Sequence, residues 1–449
     1  MKKFFVIAAA ALALVACNKE QKFEAEPQAE AIPVAFDSYL NRNVDTKAGT
    51  PGRLDILALQ LSSFGVFAYY TDGNEYDSNS VPNFMYNQEV LYNVDHWEYA
   101  PVKYWPNEYG KNAIAEERDK VSFFAYAPYV KVTPSNGKID GDVTLTTWGI
   151  TGMTRNTATG DPMVKYMVSL DPNKSVDLLW GVADATADVT WKTSFETDDQ
   201  TIAKGMPWLN VERPKTAADQ KLKFDFHHAL AQLNVQIDAD PDAVSHNTNA
   251  IAAKTKVYVR SITFTGFAMK GALNLNNTEA AKPYWKDYAG VDDLMYGEEV
   301  TIYDGRKDGK EGVADAVATN EKVLGLNPVI IQKETATAGV TTDPVNLFNS
   351  ATLAKPFFVI PTGEKVDVTI VYDVETEDEN LAGYLSDGKT PGSSVQNTIT
   401  KKAVFAKLEN DKAYTLKIHL GLTSVKFDAD VTEWTAVTPA TDTDLPANF

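Results

Sequence analysis

Cysteine is nearly absent from this chain of 449 residues, in which Cys17 is the single one. A lone thiol cannot form an internal disulfide, and a structural zinc site needs several Cys or His ligands. Histidine is also scarce, with five residues, none of them in the metal-binding HExxH spacing. The sequence has no GxSxG motif to indicate a serine nucleophile. These absences predict no metal, no cofactor and no catalytic residues, and hence a protein that is not an enzyme.

The chain also has fewer positively charged than negatively charged residues. The chain holds 42 Lys and Arg against 61 Asp and Glu, which gives a formal net charge of -19 at pH 7. Because nucleic-acid binding depends on neutralising phosphates with cationic side chains, this balance predicts no nucleic-acid partner. Beyond position 17 no run of 18 apolar residues occurs, so we expect no transmembrane helix there.

The N-terminus is the region that points to a membrane. Residues 1–16 have the two lysines, the apolar run and the small-residue end of a secretory signal peptide. The sequence Leu-Val-Ala-Cys that ends at Cys17 resembles the bacterial lipobox. This resemblance implies cleavage before Cys17 and acylation of that residue, which holds a protein stably on a membrane when two or more chains are attached. Residues 17–30 are largely polar and predict a flexible tether.

The rest of the chain is rich in strand patterns and poor in helix patterns. The clearest apolar or alternating runs are residues 64–70, 121–129, 176–183, 366–374 and 414–420. Short strands separated by Gly, Pro, Asn and Asp turns favour β-sandwiches over a parallel α/β sheet. We therefore predict an all-β protein with two sandwich domains in tandem, residues 31–222 and 223–449.

Two stretches have a more specific pattern. In residues 221–237 the apolar side chains alternate, with His228 on their face and His227 on the opposite face. Two neighbouring histidines on opposite faces cannot share a metal ion, and we predict that His228 is a hydrogen-bonded core residue. Residues 257–275 predict a strand, a bend and a second strand.

An aromatic stretch at residues 97–105 leaves two interpretations open. Trp97, Tyr99 and Trp105 lie at odd positions and could share one strand face. Such a face could stack against a sugar ring, and the protein would then be a surface glycan-binding lipoprotein. Packing of the three rings in the protein interior is the interpretation that we favour.

Several stretches, taken in order, resemble one known family. After the lipobox come FGVFAYY (64–70), W-x-Y-x-P-x-K-Y-W-P (97–106), VSFFAYAPY (121–129), FDFHHALAQLNV (224–235) and GLTSVKFDADVTEW (421–434). Together they are similar to the fimbrillin-like (Mfa-like) proteins of Bacteroidetes, over nearly the whole chain after Cys17. The resemblance implies a structural subunit of a type V pilus with two transthyretin-like β-sandwich domains. It also implies a surface-exposed lipoprotein of the cell outer membrane that becomes part of a fimbrium.

The resemblance further implies that a protease cuts after an Arg near the N-terminus and removes the first strand. The residues that would be displaced share one face of the first predicted strand: Ile32, Val34, Phe36 and Leu40. Removing such a strand exposes unpaired backbone groups and an apolar slot, which a strand of the next subunit fills. Arg42, in the polar loop that follows, is the predicted cleavage site and Arg53 the rival. A loop that is not cleaved is the remaining alternative.

The replacing strand is expected from the C-terminal tail. Its more apolar face carries the predicted donor residues Thr443, Leu445, Ala447 and Phe449. Pro446, on the other face, would lie at a sheet edge or weaken pairing. A tail that pairs with nothing is the alternative.

Exchange between unlike ends of two subunits is a head-to-tail contact and yields an open filament. The expected partners are other pilus subunits, the outer membrane through the lipid, and host or bacterial surface ligands. The sequence leaves open whether the subunit forms the stalk, the anchor or the tip of a pilus.

The lipobox gives the first testable prediction. We expect the membrane-bound form to begin with Cys17 carrying acyl chains, and Cys17→Ser to release the protein from the membrane because the anchor is lost. Mass spectrometry of the N-terminal peptide of the cell-envelope form checks this. An unmodified N-terminus at any other residue would contradict it.

Overall fold

The structure is a computed structural model of the chain. It describes residues 31–40, 54, 56–106, 118–139, 149–169, 176–194, 199–215, 220–240, 255–266, 268, 270–276, 284–286, 300–304, 329–332, 345–346, 349–350, 353–354, 357–361, 365–385, 388–421 and 425–433.

The described residues form one helix and 28 strands. The helix and the first fourteen strands are β1 (Phe36–Leu40), α1 (Ile56–Ser62), β2 (Phe64–Tyr70), β3 (Met85–Asn93), β4 (His96–Glu98), β5 (Val121–Ala127), β6 (Val132–Thr133), β7 (Lys138–Ile139), β8 (Gly149–Met153), β9 (Met163–Met167), β10 (Leu179–Val182), β11 (Val189–Trp191), β12 (Gln200–Ile202), β13 (Trp208–Val211) and β14 (Leu222–His228). The others are β15 (Ala231–Asp240), β16 (Thr255–Thr265), β17 (Lys270–Asn274), β18 (Tyr284–Lys286), β19 (Val300–Asp304), β20 (Val329–Gln332), β21 (Val345–Asn346), β22 (Asn349–Ser350), β23 (Leu353–Ala354), β24 (Phe357–Val359), β25 (Val366–Glu377), β26 (Gly392–Phe405), β27 (Lys412–Gly421) and β28 (Val425–Glu433).

The largest sheet lies in the N-terminal part of the chain. Its strand order is β1-β14-β10-β5-β2-β3-β4, and β13 also pairs with β5. The central strands β2 and β5 are buried along almost their whole length. One face of β2 contributes Phe67 and Tyr69 to one core cluster, while Phe64 and Val66 on the other face belong to a second cluster. A strand buried on both faces needs a continuous apolar sequence. The predicted strands at residues 64–70 and 121–129 are observed as β2 and β5, although β5 ends at Ala127, two residues earlier than predicted.

The C-terminal part contains two further sheets. One has the order β21-β15-β27-β28 with β24 also on β15, and the other has the order β19-β16-β25-β26 with β20 also on β16. The alternation predicted for residues 366–374 is observed as alternating burial along the first half of β25. The coarse prediction of a β-rich fold with several sheets is thus confirmed.

A six-stranded sheet joins the two parts of the chain. Its order is β18-β17-β9-β8-β7-β6, so β17 from the C-terminal part pairs with β9 from the N-terminal part. The predicted strand, bend and strand of residues 257–275 are present as β16 and β17, which lie in different sheets. The predicted boundary at residues 222 and 223 falls at the first residue of β14, and β14 pairs within the N-terminal sheet. The chain passes to the C-terminal sheets after His228.

The one helix of the described residues was not predicted from the sequence. It has only seven residues, and its single fully buried side chain is Leu59, whereas Leu61 is 90% exposed. It ends at Ser62, because the next residue, Ser63, has a φ of 57° in the left-handed region and cannot continue a helix. No helix in the described ranges is both long and apolar enough to cross a membrane.

An ion-pair cluster lies where the two parts of the chain meet. His227 of β14 has its Nε2 atom 3.2 Å from Asp225 Oδ2 and its Nδ1 atom 3.6 Å from Oδ2 of Asp411, which precedes β27. Burial alone lowers the pKa of His227, but the two carboxylates outweigh it and raise that pKa to about 9. A backbone hydrogen bond also holds Asp411 in place: its N–H donates to the carbonyl oxygen of Leu230, between β14 and β15, at 3.0 Å. The charged imidazole therefore ties the N-terminal sheet to the C-terminal one.

This cluster predicts a loss of stability at alkaline pH. The folded state holds the His227 proton more tightly than the unfolded chain, so its contribution is complete below about pH 6.5 and is lost as pH rises through about 9. At ~1.4 kcal/mol per unit, the contribution is on the order of 3 kcal/mol. Urea unfolding of wild type and His227→Gln at pH 6.5 and pH 9.5 measures it. We expect the wild type to lose more stability than the variant over that interval, and parallel pH profiles would disprove the role of His227.

Candidate functional site

The first segment that the structure describes, residues 31–40, pairs with two different partners in succession. Val34 N donates to Lys103 O and Trp105 N donates to Ile32 O, each at 2.9 Å, which makes an antiparallel contact with residues 103–105. The segment then runs as β1 alongside β14, in parallel, from the pair Phe36–Leu222 onwards. Because β14 has β10 on its other side, β1 forms the outer edge of the large sheet.

The apolar face of this segment is part of the protein core. Ile32, Val34 and Phe36 are only 5%, 2% and 2% exposed, and the intervening Pro33 and Ala35 are half-buried. This alternation follows the period of two that the sequence predicts. The backbone of Leu40 pairs with Phe226 as the last residue of β1. The strand is observed, and Ile32, Val34 and Phe36 are buried as the alternation predicts, whereas the side chain of Leu40 lies outside the described residues and the displacement of the strand remains a prediction.

Phe36 lies at the centre of an aromatic cluster. Its ring centroid is 5.3 Å from that of Tyr99, 6.1 Å from those of Phe123 and Phe224, and 6.4 Å from that of Phe64. Most of these pairs are edge-on or tilted, which is the favourable geometry for aromatic rings. The partners come from β2, β5, β14 and the segment after β4, so one side chain of the first segment contacts four separate parts of the N-terminal core.

Tyr99 adds a hydrogen bond from a side chain to the backbone of the first segment. Its hydroxyl donates to Val34 O at 2.9 Å and accepts from Lys103 N at 3.2 Å. Burial raises the pKa of Tyr99 to about 12, so the hydroxyl keeps its proton at neutral pH. The acceptor is a carbonyl oxygen, which every residue possesses. We call the position that residues 32–40 occupy, between residues 103–105 and β14, the slot. Tyr99 therefore recognises an extended backbone in the slot rather than a particular side chain.

The aromatic stretch considered as a sugar platform lies in the core, and its Tyr99 and Trp105 contact residues 32–36. Trp97, Tyr99 and Trp105 are 9%, 8% and 5% exposed and belong to the same core cluster as Phe36. They do not share one strand, because β4 ends at Glu98. Their ring faces are covered by protein, which favours the packing interpretation over the sugar platform. No sequence pattern indicated that these rings would pack in the core cluster that contains Phe36.

The next described residue after β1, Leu54, is held by a hydrogen bond to a buried carboxylate. Its backbone N donates to Asp177 Oδ2 at 3.0 Å, and His228 Nδ1 lies 2.7 Å from the same oxygen. His228 is thus the hydrogen-bonded core residue that the sequence predicts. In the part of the chain that the structure describes, no three His, Cys, Asp or Glu side chains are grouped to hold a metal ion.

The remaining predicted site residues lie outside the described residues. They are Cys17, Arg42, Arg53, Thr443, Leu445, Ala447 and Phe449. The described geometry therefore gives the slot and its present occupant: a strand held at a sheet edge by backbone bonds and by three apolar side chains.

The chain is similar in sequence and in fold to fimbrial proteins. No family model matches the chain. It is 24% identical over 266 residues to the fimbrium subunit Fim1C of Phocaeicola vulgatus, covering 58% of this chain and 55% of that one. The chain thus spans about half the length of that curated relative. The similarity to fimbrial subunits of Bacteroidales that the sequence predicts is confirmed.

Solved structures support the same fold. A crystal structure of a fimbrial protein from Bacteroides vulgatus superposes with a TM-score of 0.51 at 18% identity, covering 90% of this chain and 99% of that one. This likeness extends over both the N-terminal and the C-terminal parts of the chain and concerns the fold alone.

The aromatic cluster predicts that the first segment stabilises the intact chain strongly. Phe36→Ala should cost about 3–5 kcal/mol, because it removes a buried ring from a cluster that cannot collapse around the cavity. Leu61→Ala, at a side chain that is 90% exposed, is the matched control and should change stability by less than about 0.5 kcal/mol. Chemical denaturation of the uncleaved chain measures both. Equal stabilities of the two variants would show that the segment is not part of the core.

Proposed function

We propose that this chain is a structural subunit of a cell-surface fimbria, a type V pilus, and that its first strand is a temporary occupant of the slot described above. One observation carries the proposal. Residues 32–40 fill a core position at a sheet edge, and their backbone bonds to Lys103, Trp105 and Leu222 could be made by any extended strand. Proteolytic removal of the segment would leave those groups unpaired and an apolar slot open, and a strand of a neighbouring subunit would close both.

The C-terminal part supports the proposal by analogy within the chain. There β15 runs parallel to β27 over nine residue pairs, as β1 runs parallel to β14 over five. β15 continues from β14 with only Ala229 and Leu230 between them, so its position is filled by an uninterrupted chain. β1 is instead joined to α1 through residues 41–55. We therefore propose two transthyretin-like domains in tandem, with the boundary at Ala229 and Leu230, of which only the N-terminal one exchanges a strand.

The proposed cleavage site is Arg42, with Arg53 as the rival. Both lie between Leu40, which pairs with Phe226, and Leu54, which is held by Asp177. A cut after either residue would separate β1 from the rest of the chain and leave Leu54 anchored. Such a cut would also remove the tether and the lipid on Cys17, so that a subunit delivered to the outer membrane as a lipoprotein would be released into the fimbrium.

The donor strand is proposed to be the C-terminal tail, with Thr443, Leu445, Ala447 and Phe449 on its inward face. A slot at one end and a donor at the other produce an open head-to-tail filament, which would present adhesive surfaces to host or bacterial ligands.

The cleavage step can be tested on the purified precursor. Treatment with an Arg-specific protease should remove the N-terminal segment and produce a ladder of SDS-resistant multimers, because each freed slot accepts the tail of another subunit. Arg42→Ala should abolish the ladder, with Arg53→Ala as the matched control. A ladder that persists in Arg42→Ala and disappears in Arg53→Ala would assign the cut to Arg53.

Deletion of residues 440–449 separates polymerisation from folding. The truncated chain should be cleaved and remain folded by circular dichroism, yet form no multimers. Normal multimers from the truncated chain would refute the tail as donor.

A further inference from the structure

The chain contains one short pattern twice, once in the first segment and once in the tail. Of its 21 prolines, only Pro33 and Pro446 are followed three residues later by Phe, and a large aliphatic residue precedes each of them. Residues 32–36 read Ile-Pro-Val-Ala-Phe and residues 445–449 read Leu-Pro-Ala-Asn-Phe. Aligned on the proline, the two stretches have apolar residues at the same first, third and fifth positions.

The slot explains why a proline is tolerated in both stretches. Pro33 forms an antiparallel bridge with Tyr104, and the flanking bonds run from Val34 N to Lys103 O and from Trp105 N to Ile32 O. This pattern makes Pro33 and Tyr104 a non-hydrogen-bonded pair, in which neither residue uses its backbone N–H. A proline at this position loses no hydrogen bond. Pro446, which would weaken most strands, is therefore compatible with this position of the slot.

The neighbouring positions of the tail match the slot as well. At the first position Leu445 has the same number of carbon atoms as Ile32, and at the fifth Phe449 would supply the ring that Phe36 places among Tyr99, Phe123 and Phe224. At the third, Ala447 is smaller than Val34. Its N–H and carbonyl would still meet Lys103 O and the Tyr99 hydroxyl, because those two bonds involve only the backbone of the occupant.

We infer that the tail of a second copy of this chain fills the slot in the register that places Leu445, Pro446, Ala447 and Phe449 where Ile32, Pro33, Val34 and Phe36 lie before cleavage. This inference rests on the proposed strand exchange and makes it specific. Because the tail has the same residue pattern as the first segment of its own chain, copies of this one subunit act as both acceptor and donor. They therefore form a homopolymer. That property is expected of a stalk subunit, which both accepts and donates a strand.

A cysteine pair tests the register. Non-hydrogen-bonded pairs bring the Cα atoms to about 4.5 Å, which a disulfide can bridge. In a chain with Cys17→Ser, the substitutions Tyr104→Cys and Pro446→Cys should therefore link neighbouring subunits covalently after Arg-specific cleavage. Tyr104 is 53% exposed, so its replacement should not disturb the core. The matched control pairs Tyr104→Cys with Asn448→Cys, on the same face of the tail but displaced by two residues, or about 7 Å along the strand.

The readout is non-reducing SDS gel electrophoresis after heating, which leaves only covalent multimers. We expect covalent multimers from the 104/446 pair, at least about tenfold fewer from the 104/448 pair, and none from either before cleavage, when residues 32–36 occupy the slot. Non-covalent multimers that lack the 104/446 link, or equal linking by the control pair, would overturn the proposed register. A link within one chain would show that the tail of a second copy does not fill the slot. These outcomes would leave strand exchange itself intact. If neither variant nor wild type forms multimers of any kind, both the inference and the proposed function fail.

Discussion

The structure depends on keeping one slot filled. Ile32, Val34 and Phe36 occupy the core of the N-terminal part, and burying each such side chain contributes roughly 1.5–3 kcal/mol. This segment also supplies hydrogen-bond partners for Lys103 O, Trp105 N and Leu222 N, and a buried polar group left unpaired costs about 1–3 kcal/mol. An extended apolar strand in the slot therefore stabilises the fold strongly. Its backbone contacts do not depend on which chain supplies that strand.

The slot is connected to the rest of the subunit through β14. This strand pairs with β1 on one side and β10 on the other, and it leads through the buried residues Ala229 and Leu230 into β15. One core cluster extends across this passage, and β17 pairs with β9 across it as well. The ion pairs of His227 act at the same place. The segment in the slot is thus connected through β14 to the C-terminal sheets.

Sequence patterns predicted the strands whose environment is uniform along their length. The run at residues 64–70 is buried on both faces, which a continuous apolar sequence predicts. The first half of β25 is buried on one face, which alternation of apolar and polar residues predicts. The helix α1 escaped prediction because seven residues with one buried side chain give almost no periodic signal. The pairing of β9 with β17 joins residues about a hundred positions apart and follows from packing that local patterns do not encode.

The candidate site was predictable in part for the same reason. Alternation identified the inward face of the first strand, but not that it runs parallel to β14 or that Tyr99 binds its backbone. Spacing placed Trp97, Tyr99 and Trp105 on one hypothetical strand face, whereas β4 ends at Glu98 and all three side chains lie in the core cluster that contains Phe36. The repeat shared by residues 32–36 and 445–449 is visible in the sequence. Its meaning emerges only from the slot, which shows that the proline position needs no N–H.

The central claim is that the slot changes its occupant on assembly. The most direct measurement is a cryo-electron microscopy structure of the assembled fibre at a resolution that traces side chains beside Trp105 and β14. The account predicts density continuous with the C-terminal tail of the neighbouring subunit, with a phenylalanine ring at the site of Phe36. A fibre in which each subunit still holds its own residues 32–40 in that slot would contradict the account.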